Sequence, residues 1–127
     1  MNPPPSPVSI PLVEVGATDF EARVLQSARP VLVVFGAPWS KPCQSLERVM
    51  ERIAAERAGS VGVVKVNADL HPDLSVWYEV QSLPTVVLFR EGCPRSRVVG
   101  TASKERVLDL LQGLPETGAR PADAQGE

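Results

Sequence analysis

Residues 31–43, with the sequence VLVVFGAPWSKPC, decide the fold of this chain of 127 residues. The stretch opens with an apolar run at 31–35, which predicts a strand buried on both faces. A short Gly-Ala-Pro-Trp connection follows, and an amphipathic helical pattern then begins near Lys41, with Cys43 in its first turn. The unpaired N–H groups and the dipole of a helix start favour negative charge, and a cysteine thiolate is one such charge. The stretch therefore predicts a strand–loop–helix unit with chemistry at its junction.

Strand and helix patterns alternate on both sides of this unit. We expect a mixed sheet covered by helices on both faces, an α/β fold, because crossover units are followed by a hairpin at Glu91-Gly92. The predicted strands are 12–15, 31–35, 61–67, 85–89 and 97–100, and the predicted helices begin at Thr18, Lys41, Pro72 and Ser103.

Sequence signals at the helix ends and faces make these expectations specific. The first helix should begin with a capping box, in which Thr18 caps a backbone N–H and Glu21 bonds back, and should end at Pro30. The helix at 41–58 has one apolar stripe, so its charged residues, Glu47 among them, are expected on a solvated face. The remaining helices are expected to bury Phe20, Val24 and Ala28; Leu74, Trp77 and Tyr78; and Val107, Leu110, Leu111 and Leu114.

The composition is that of an ordinary globular protein, with 43% hydrophobic and 22% charged residues and a formal net charge of −2. This charge gives no electrostatic hold on nucleic acid or an anionic membrane. No apolar run approaches the ~18 residues of a membrane span. The first residues lack the pattern of a secretory signal. We therefore expect a cytoplasmic protein with reduced thiols, most simply a monomer.

The chain is expected to hold one domain between two unstructured ends. Residues 1–10 contain four prolines, which favour extended backbone, and are expected to form a disordered or loosely docked arm, or a proline-rich ligand for a partner. Residues 11–114 carry all the predicted elements and form the domain. Residues 115–127 have mostly small and polar side chains and are expected to be disordered.

Metal-ligating residue types are scarce in the sequence. Two cysteines, Cys43 and Cys93, and one histidine, His71, are too few for a Cys/His zinc site. We predict no metal and no cofactor. A Cys43–Cys93 bridge is left open but is disfavoured, and His71 is expected to be an exposed loop residue.

The motif at residues 39–43, Trp-Ser-Lys-Pro-Cys, resembles the Trp-Cys-x-Pro-Cys redox motif of the thioredoxin family, with the first cysteine replaced by Ser40. Leu83-Pro84-Thr85 resembles the family's cis-proline segment. The segments 65–69, 88–92 and 99–100 also fall in the family's order, so the similarity covers about 12–113. The resemblance implies a thioredoxin fold and a thiol–disulfide oxidoreductase in cell redox homeostasis. It also implies protein substrates bound as extended peptides and, if the chain is redox-active, a thioredoxin-reductase-type partner.

The resemblance also assigns roles to individual residues. Ser40 stands at the position of the attacking cysteine and Cys43 at the resolving position. The implied substrate-binding residues are Trp39, Pro42, Leu83, Pro84, Thr85 and Thr101. Two further positions depart from the family pattern, because Val34 stands where a buried acid is common and Gly36 where a tryptophan is common.

The residues themselves leave several interpretations open. Ser40 is a good helix N-cap, and the sequence is consistent with Cys43 as either a reactive thiol or a small buried hydrophobe. A serine hydroxyl cannot exchange disulfides, so dithiol exchange is expected to be weak or absent. The chain is then an oxidoreductase with an engineered serine, a natural binding, chaperone or assembly module that has lost exchange, or a protein with one-cysteine chemistry at Cys43, such as a mixed disulfide with glutathione.

Overall fold

The computed structural model describes residues 9–112, and its centre is a five-stranded sheet in the order β1-β3-β2-β4-β5. The strands are β1 Val13–Glu14, β2 Val31–Gly36, β3 Gly62–Asn67, β4 Thr85–Arg90 and β5 Cys93–Val99. The helices are α1 Lys41–Glu56, α2 Pro72–Trp77 and α3 Lys104–Gln112, preceded by a π-helical turn at Glu21–Leu25. Most of the predicted arm, the predicted tail and Leu114 lie outside the described residues.

The sheet is mixed, as predicted. β2 lies at its centre and pairs in parallel with β3 and antiparallel with β4. β1 extends the parallel side, and β5 returns antiparallel beside β4. The predicted turn at Glu91-Gly92 joins β4 to β5, with φ of 55° and 80°, the backbone that a two-residue hairpin requires.

Helices cover both faces of the sheet because alternate residues of the central strands point in opposite directions. On one face Leu32, Val34, Val86 and Leu88 pack with Leu46, Met50 and Ile53 of α1 and Val107 of α3. On the other face Val31, Val33, Phe35, Val87 and Phe89 pack with Phe20, Val24, Leu74 and Tyr78. Both faces of β2 and β4 are buried, which explains why these strands appear in the sequence as continuous apolar runs.

The first helix differs from its prediction. The capping box is wrong: Asp19 Oδ1 instead accepts a hydrogen bond from the Gly16 N–H at 2.7 Å, and Phe20 takes the N-cap position without a side-chain cap. The chain leaves the helix after Leu25, so Ala28 is exposed rather than buried. A short acidic side chain that bonds to nearby backbone competes with the cap expected of Thr18.

Two further predictions need correction. Trp77 was expected on the buried face of α2, but it is 78% exposed, because Leu74 and Tyr78 fill the contact with the sheet. β5 begins earlier than expected and includes Pro94, which an edge strand tolerates because it has no outer partner to require the missing N–H.

Within residues 9–112, no helix is long and apolar enough to cross a membrane.

Candidate active site at one end of the sheet

The sheet topology brings most of the predicted site residues to one end of the sheet. β2 and β3 run in parallel and both finish at this end, where Gly36 is paired with Asn67. β4 starts at this end, since Thr85 is paired with Phe35 on one side and with Val99 on the other. The loop after β2, the loop after β3, the segment before β4 and the residues after β5 are therefore neighbours. These segments hold Trp39, Ser40, Asp69, Leu83, Pro84 and Thr101.

Ser40 is the N-cap of α1. Its backbone is extended, with φ of −93° and ψ of 122°, and its Oγ accepts a hydrogen bond from the Cys43 N–H at 3.3 Å. Pro42 lies in the first helical turn, where its missing N–H costs nothing. The loop before the helix is held by Gln44, whose Nε2 donates to the Pro38 carbonyl at 2.6 Å. The hydroxyl of Ser40 is thus engaged in holding the helix start.

Cys43 lies beneath this cap with only 5% of its surface exposed. It packs on the backbone of β2, because a Cβ at Gly36 would lie 3.3 Å from its Sγ. Cys93 is exposed and pairs with Arg90, at the opposite end of β4 from Thr85. Both thiols are free, and the disfavoured Cys43–Cys93 bridge is absent from the structure.

Trp39 presents most of its ring to solvent, with 72% of its surface exposed. Its Nε1 donates to Asp69 Oδ2 at 2.7 Å, and the Asp69 N–H in turn donates to Asn67 Oδ1 at 2.9 Å. The indole is therefore exposed and held in one orientation. Sequence analysis did not single out Asp69, although it closes a segment, 65–69, that carries the resemblance.

The segment before β4 borders the same end of the sheet. The Leu83–Pro84 peptide bond is cis, and the Pro84 carbonyl accepts a hydrogen bond from the Gly100 N–H at 2.7 Å. Leu83 is half-buried and Thr101 is exposed, so both offer surface to a ligand. Thr85 is 1% exposed and its Oγ1 donates to the Ser82 carbonyl at 2.6 Å, so its side chain holds the loop instead of facing solvent.

A pocket of about 80 Å³ lies beside Cys43, between β2, β3 and α1. Lys65 Nζ and Glu47 Oε2 form an ion pair of 2.7 Å at its wall. Glu47 was expected on a solvated face, but it is half-buried by this contact with the sheet. The lining residues are Glu14, Val34, Gly36, Ala37, Pro38, Cys43, Glu47, Lys65, Val66 and Asn67.

His71 is half-buried, not the exposed loop residue that was expected. Its ring packs on Gly16, where a Cβ would lie 2.5 Å from Cε1 and Nε2. Among residues 9–112, no group of three His, Cys, Asp or Glu side chains could hold a metal ion.

Comparison with known proteins agrees with this arrangement. The thioredoxin family model matches residues 11–113. Thioredoxin from Mycobacterium bovis is 40% identical over 102 residues, which cover 80% of this chain and 88% of that protein. Thioredoxin 1 from Synechococcus elongatus is 39% identical, over 78% of this chain and 94% of that protein. The bifunctional thioredoxin reductase/thioredoxin of Mycobacterium leprae is 39% identical, but the chain spans only 23% of its length.

These matches confirm the predicted family and fold. The five-stranded mixed sheet with helices on both faces is a thioredoxin fold, and the family supports a general role in thiol–disulfide chemistry. On both counts, the chain belongs to the thioredoxin family.

Proposed function

We propose that this chain is a cytoplasmic member of the thiol–disulfide oxidoreductase family whose own dithiol exchange is weak or absent. One observation carries the proposal: the position of the attacking cysteine holds Ser40, and its hydroxyl caps α1 by accepting the Cys43 N–H at 3.3 Å. The chain would act in cell redox homeostasis by binding client proteins, with little turnover of its own.

The chemistry of exchange explains the expected loss. A thiolate must attack the client disulfide and form a mixed disulfide, and a second thiol must then release the product. The Ser40 hydroxyl supplies no sulfur, and Cys43 is the only cysteine at this end of the sheet in the described part of the chain. A single sulfur can form a mixed disulfide but has no neighbour to resolve it.

The surface around the motif supports the binding part of the proposal. The exposed ring of Trp39, held by Asp69, faces solvent at the same end of the sheet as Leu83 and Thr101. An extended client peptide could lie between them and pair with the backbone before Pro84, since the Pro84 carbonyl itself is occupied by Gly100. Side chains of the peptide would then contact the Trp39 ring.

A second candidate function is active exchange in a parent chain that carries cysteine at position 40. The intact helix start and Pro84 segment favour it. A thioredoxin-reductase-type partner would then reduce the disulfide between positions 40 and 43 back to two thiols. Val34 and Gly36 argue against it, because two more positions around Cys43 depart from the family pattern.

The decisive experiment is reduction of insulin by dithiothreitol, with the unmodified chain beside Ser40→Cys. We expect no acceleration by the unmodified chain, and the Ser40→Ala variant is the control for the loss of the hydroxyl alone. Activity in Ser40→Cys only would favour the second candidate. Activity in the unmodified chain would refute the proposal.

Binding is tested in the same reaction at excess dithiothreitol, where the released insulin B chain aggregates. The unmodified chain should delay this aggregation, and Trp39→Ala should remove the delay. Trp77→Ala is the matched control, because Trp77 is as exposed as Trp39 but belongs to α2. An equal loss in both variants would show that exposed tryptophan, and not this site, holds the client.

A further inference from the structure

The outward face of α2 is apolar, although it meets solvent. Val76 and Trp77 are each 78% exposed, and Leu70, in the loop before the helix, is 65% exposed. The exposed side chains of α1, by contrast, are mostly charged or polar: Lys41, Ser45, Arg48, Arg52 and Glu56. Single apolar side chains are common on protein surfaces, whereas a group of them marks a site of interaction. The apolar face of α2 therefore calls for a partner.

The packing of α2 on the sheet fixes which way this face points. Leu74 and Tyr78 are one helical turn apart and both pack on the core beneath the helix. Because Val76 and Trp77 lie on the other side of α2, this packing turns them away from the sheet and into solvent.

Hydrogen bonds hold α2 at both ends. Before the helix, the N–H groups of Leu70 and His71 donate to the Asn67 carbonyl at 3.1 and 3.0 Å, which ties the loop to the end of β3. At the other end, the Arg97 guanidinium of β5 donates to the last carbonyls of the helix segment at 2.8 and 3.0 Å. The outward face is thus presented on a fixed support.

The charge around this face is negative. Residues 66–89, which include α2 and the loops on either side of it, contain no Lys or Arg. They contain three acids, Asp69, Asp73 and Glu79, and all three are exposed. Asp73 precedes Val76 and Trp77 by three and four residues, so its carboxylate lies on the same side of α2 as the apolar side chains.

Neighbouring elements leave this balance negative. The π-helical turn at Glu21–Leu25 is beside the end of α2, and this part of the chain contributes Asp19 and Glu21 against Arg23. β5 contributes Arg97, whose guanidinium is already engaged with the two carbonyls. An apolar surface in negative surroundings favours a partner that is both apolar and cationic.

A second copy of this chain fits the face less well. A two-fold dimer through α2 would bring the Asp73 carboxylates of the two copies together, and like charges across an interface are costly. A stable interface also takes about 800 Å² from each partner, whereas an exposed tryptophan supplies about 150–200 Å². The face is therefore suited to a short segment of another protein.

We propose that the outward face of α2, formed by Leu70, Asp73, Val76 and Trp77, docks a cationic amphipathic segment of another protein. Apolar side chains of the segment cover Val76 and Trp77, while its Lys or Arg side chains meet Asp73 and the face of the indole ring. This proposal goes beyond the proposed function, because the surface belongs to α2 and not to the segments that carry the motif and Pro84.

The probe is a short, fluorescently labelled peptide of leucine and lysine with its leucines at helical spacing. Fluorescence anisotropy measures its binding to the full chain. The control peptide has glutamate in place of every lysine. We expect the lysine peptide to bind, with an affinity that falls as salt is raised, and the glutamate peptide not to bind.

Two variants locate the bound peptide. Trp77→Ala should weaken binding about tenfold or more, because a buried tryptophan dominates a small interface. Asp73→Asn should weaken it about two- to fivefold and reduce the dependence on salt. Asp109→Asn is the matched control and should leave the affinity unchanged, since Asp109 is also exposed but belongs to α3, which packs on the opposite face of the sheet.

Several outcomes would overturn the proposal. The first is absence of binding, and the second is equal binding of the two peptides. Equal effects of Asp73→Asn and Asp109→Asn would show only a general attraction of charge. A greater loss in Trp39→Ala than in Trp77→Ala would place the peptide at the motif instead.

Sedimentation of the unmodified chain tests the alternative occupant. Self-association that Trp77→Ala abolishes would assign the face to a second copy and overturn the proposal, whereas a monomer supports it. The insulin experiments depend on position 40 and Trp39, so failure of the proposed function and failure of this inference are separable.

Discussion

The Ser40 Oγ accepts a hydrogen bond from the Cys43 N–H at 3.3 Å, which makes the residue at the attacking position of the family motif the N-cap of α1. The same four-residue segment thus carries both the remaining thiol and the group that starts the helix. A change at position 40 affects the stability of the helix as well as its chemistry.

Ser40→Ala should destabilise the chain by about 1 kcal/mol, because the Cys43 N–H loses its acceptor. Urea unfolding measures this as a lower midpoint at unchanged slope. Ser40→Asp should keep most of the stability, since aspartate is an equally good cap. Equal stability of the alanine variant and the unmodified chain would contradict a capping role.

Arg97→Met should cost about 1 kcal/mol of unfolding free energy. The Arg97 guanidinium donates to the carbonyls of Tyr78 at 2.8 Å and Glu79 at 3.0 Å, where α2 ends, and a helix end needs such partners. Arg95→Met is the matched control, because Arg95 has only an exposed contact of 3.4 Å with Glu91. Equal effects of the two variants in urea unfolding would show that the carbonyl contacts contribute nothing.

Gly16→Ala should destabilise the chain by about 1–2 kcal/mol, because the added methyl would lie 2.5 Å from the His71 ring and the ring must move. His71→Ala should relieve the clash, so the double variant should lose less than the sum of the single variants. A double-mutant cycle by urea unfolding measures this coupling. Strict additivity would show that the ring moves aside without cost.

The free energy of unfolding should fall in alkaline solution because the phenol of Tyr78 ionises more readily in the unfolded chain. Burial against Phe20 and Phe89 raises the pKa of the Tyr78 phenol above its usual value of 10.0. The unfolded chain then ionises first, so this contribution is complete below pH 10.0 and is lost as pH rises through the folded-state pKa.

Tyr78→Phe should flatten the alkaline part of a stability–pH curve measured by urea unfolding. Its stability near neutral pH should change little, because phenylalanine keeps the ring contacts with Phe20 and Phe89. If the unfolding free energy of the variant falls with rising pH as steeply as that of the unmodified chain, groups other than Tyr78 cause the loss of stability.

Short-range sequence signals were sufficient to predict the secondary structure at the centre of the molecule. The run 31–35, with mostly β-branched residues, indicated a strand with both faces buried, and the Ser40 cap follows from residue type and position at a helix start. The hairpin at Glu91-Gly92 was equally local, because its turn needs backbone that glycine adopts freely. The motif at 39–43 and its likeness to thioredoxin then gave the family.

Short-range sequence signals gave a wrong prediction where two side chains of the same segment could take the same structural role. Asp19 bonds back to Gly16 and displaces the cap expected of Thr18, and each side chain had a suitable partner in its own segment. The apolar residues of α2 likewise offered two possible faces, and contact of Leu74 and Tyr78 with the sheet left Trp77 in solvent.

The sequence by itself determined the strands and helices of the centre and the position of Ser40 and Cys43 at a helix start, because these depend on neighbours within a few residues. The order of these elements and the likeness of several segments to the family then indicated the fold and the family. The tertiary structure alone decided the contacts that define the site: Trp39 with Asp69, and Glu47 with Lys65. These partners are 30 and 18 residues apart, and only the alignment of strand ends and the packing of α1 on β3 bring them together. The ion pair that lines the pocket beside Cys43 therefore exists only in the folded chain, since α1 and β3 must meet before it forms.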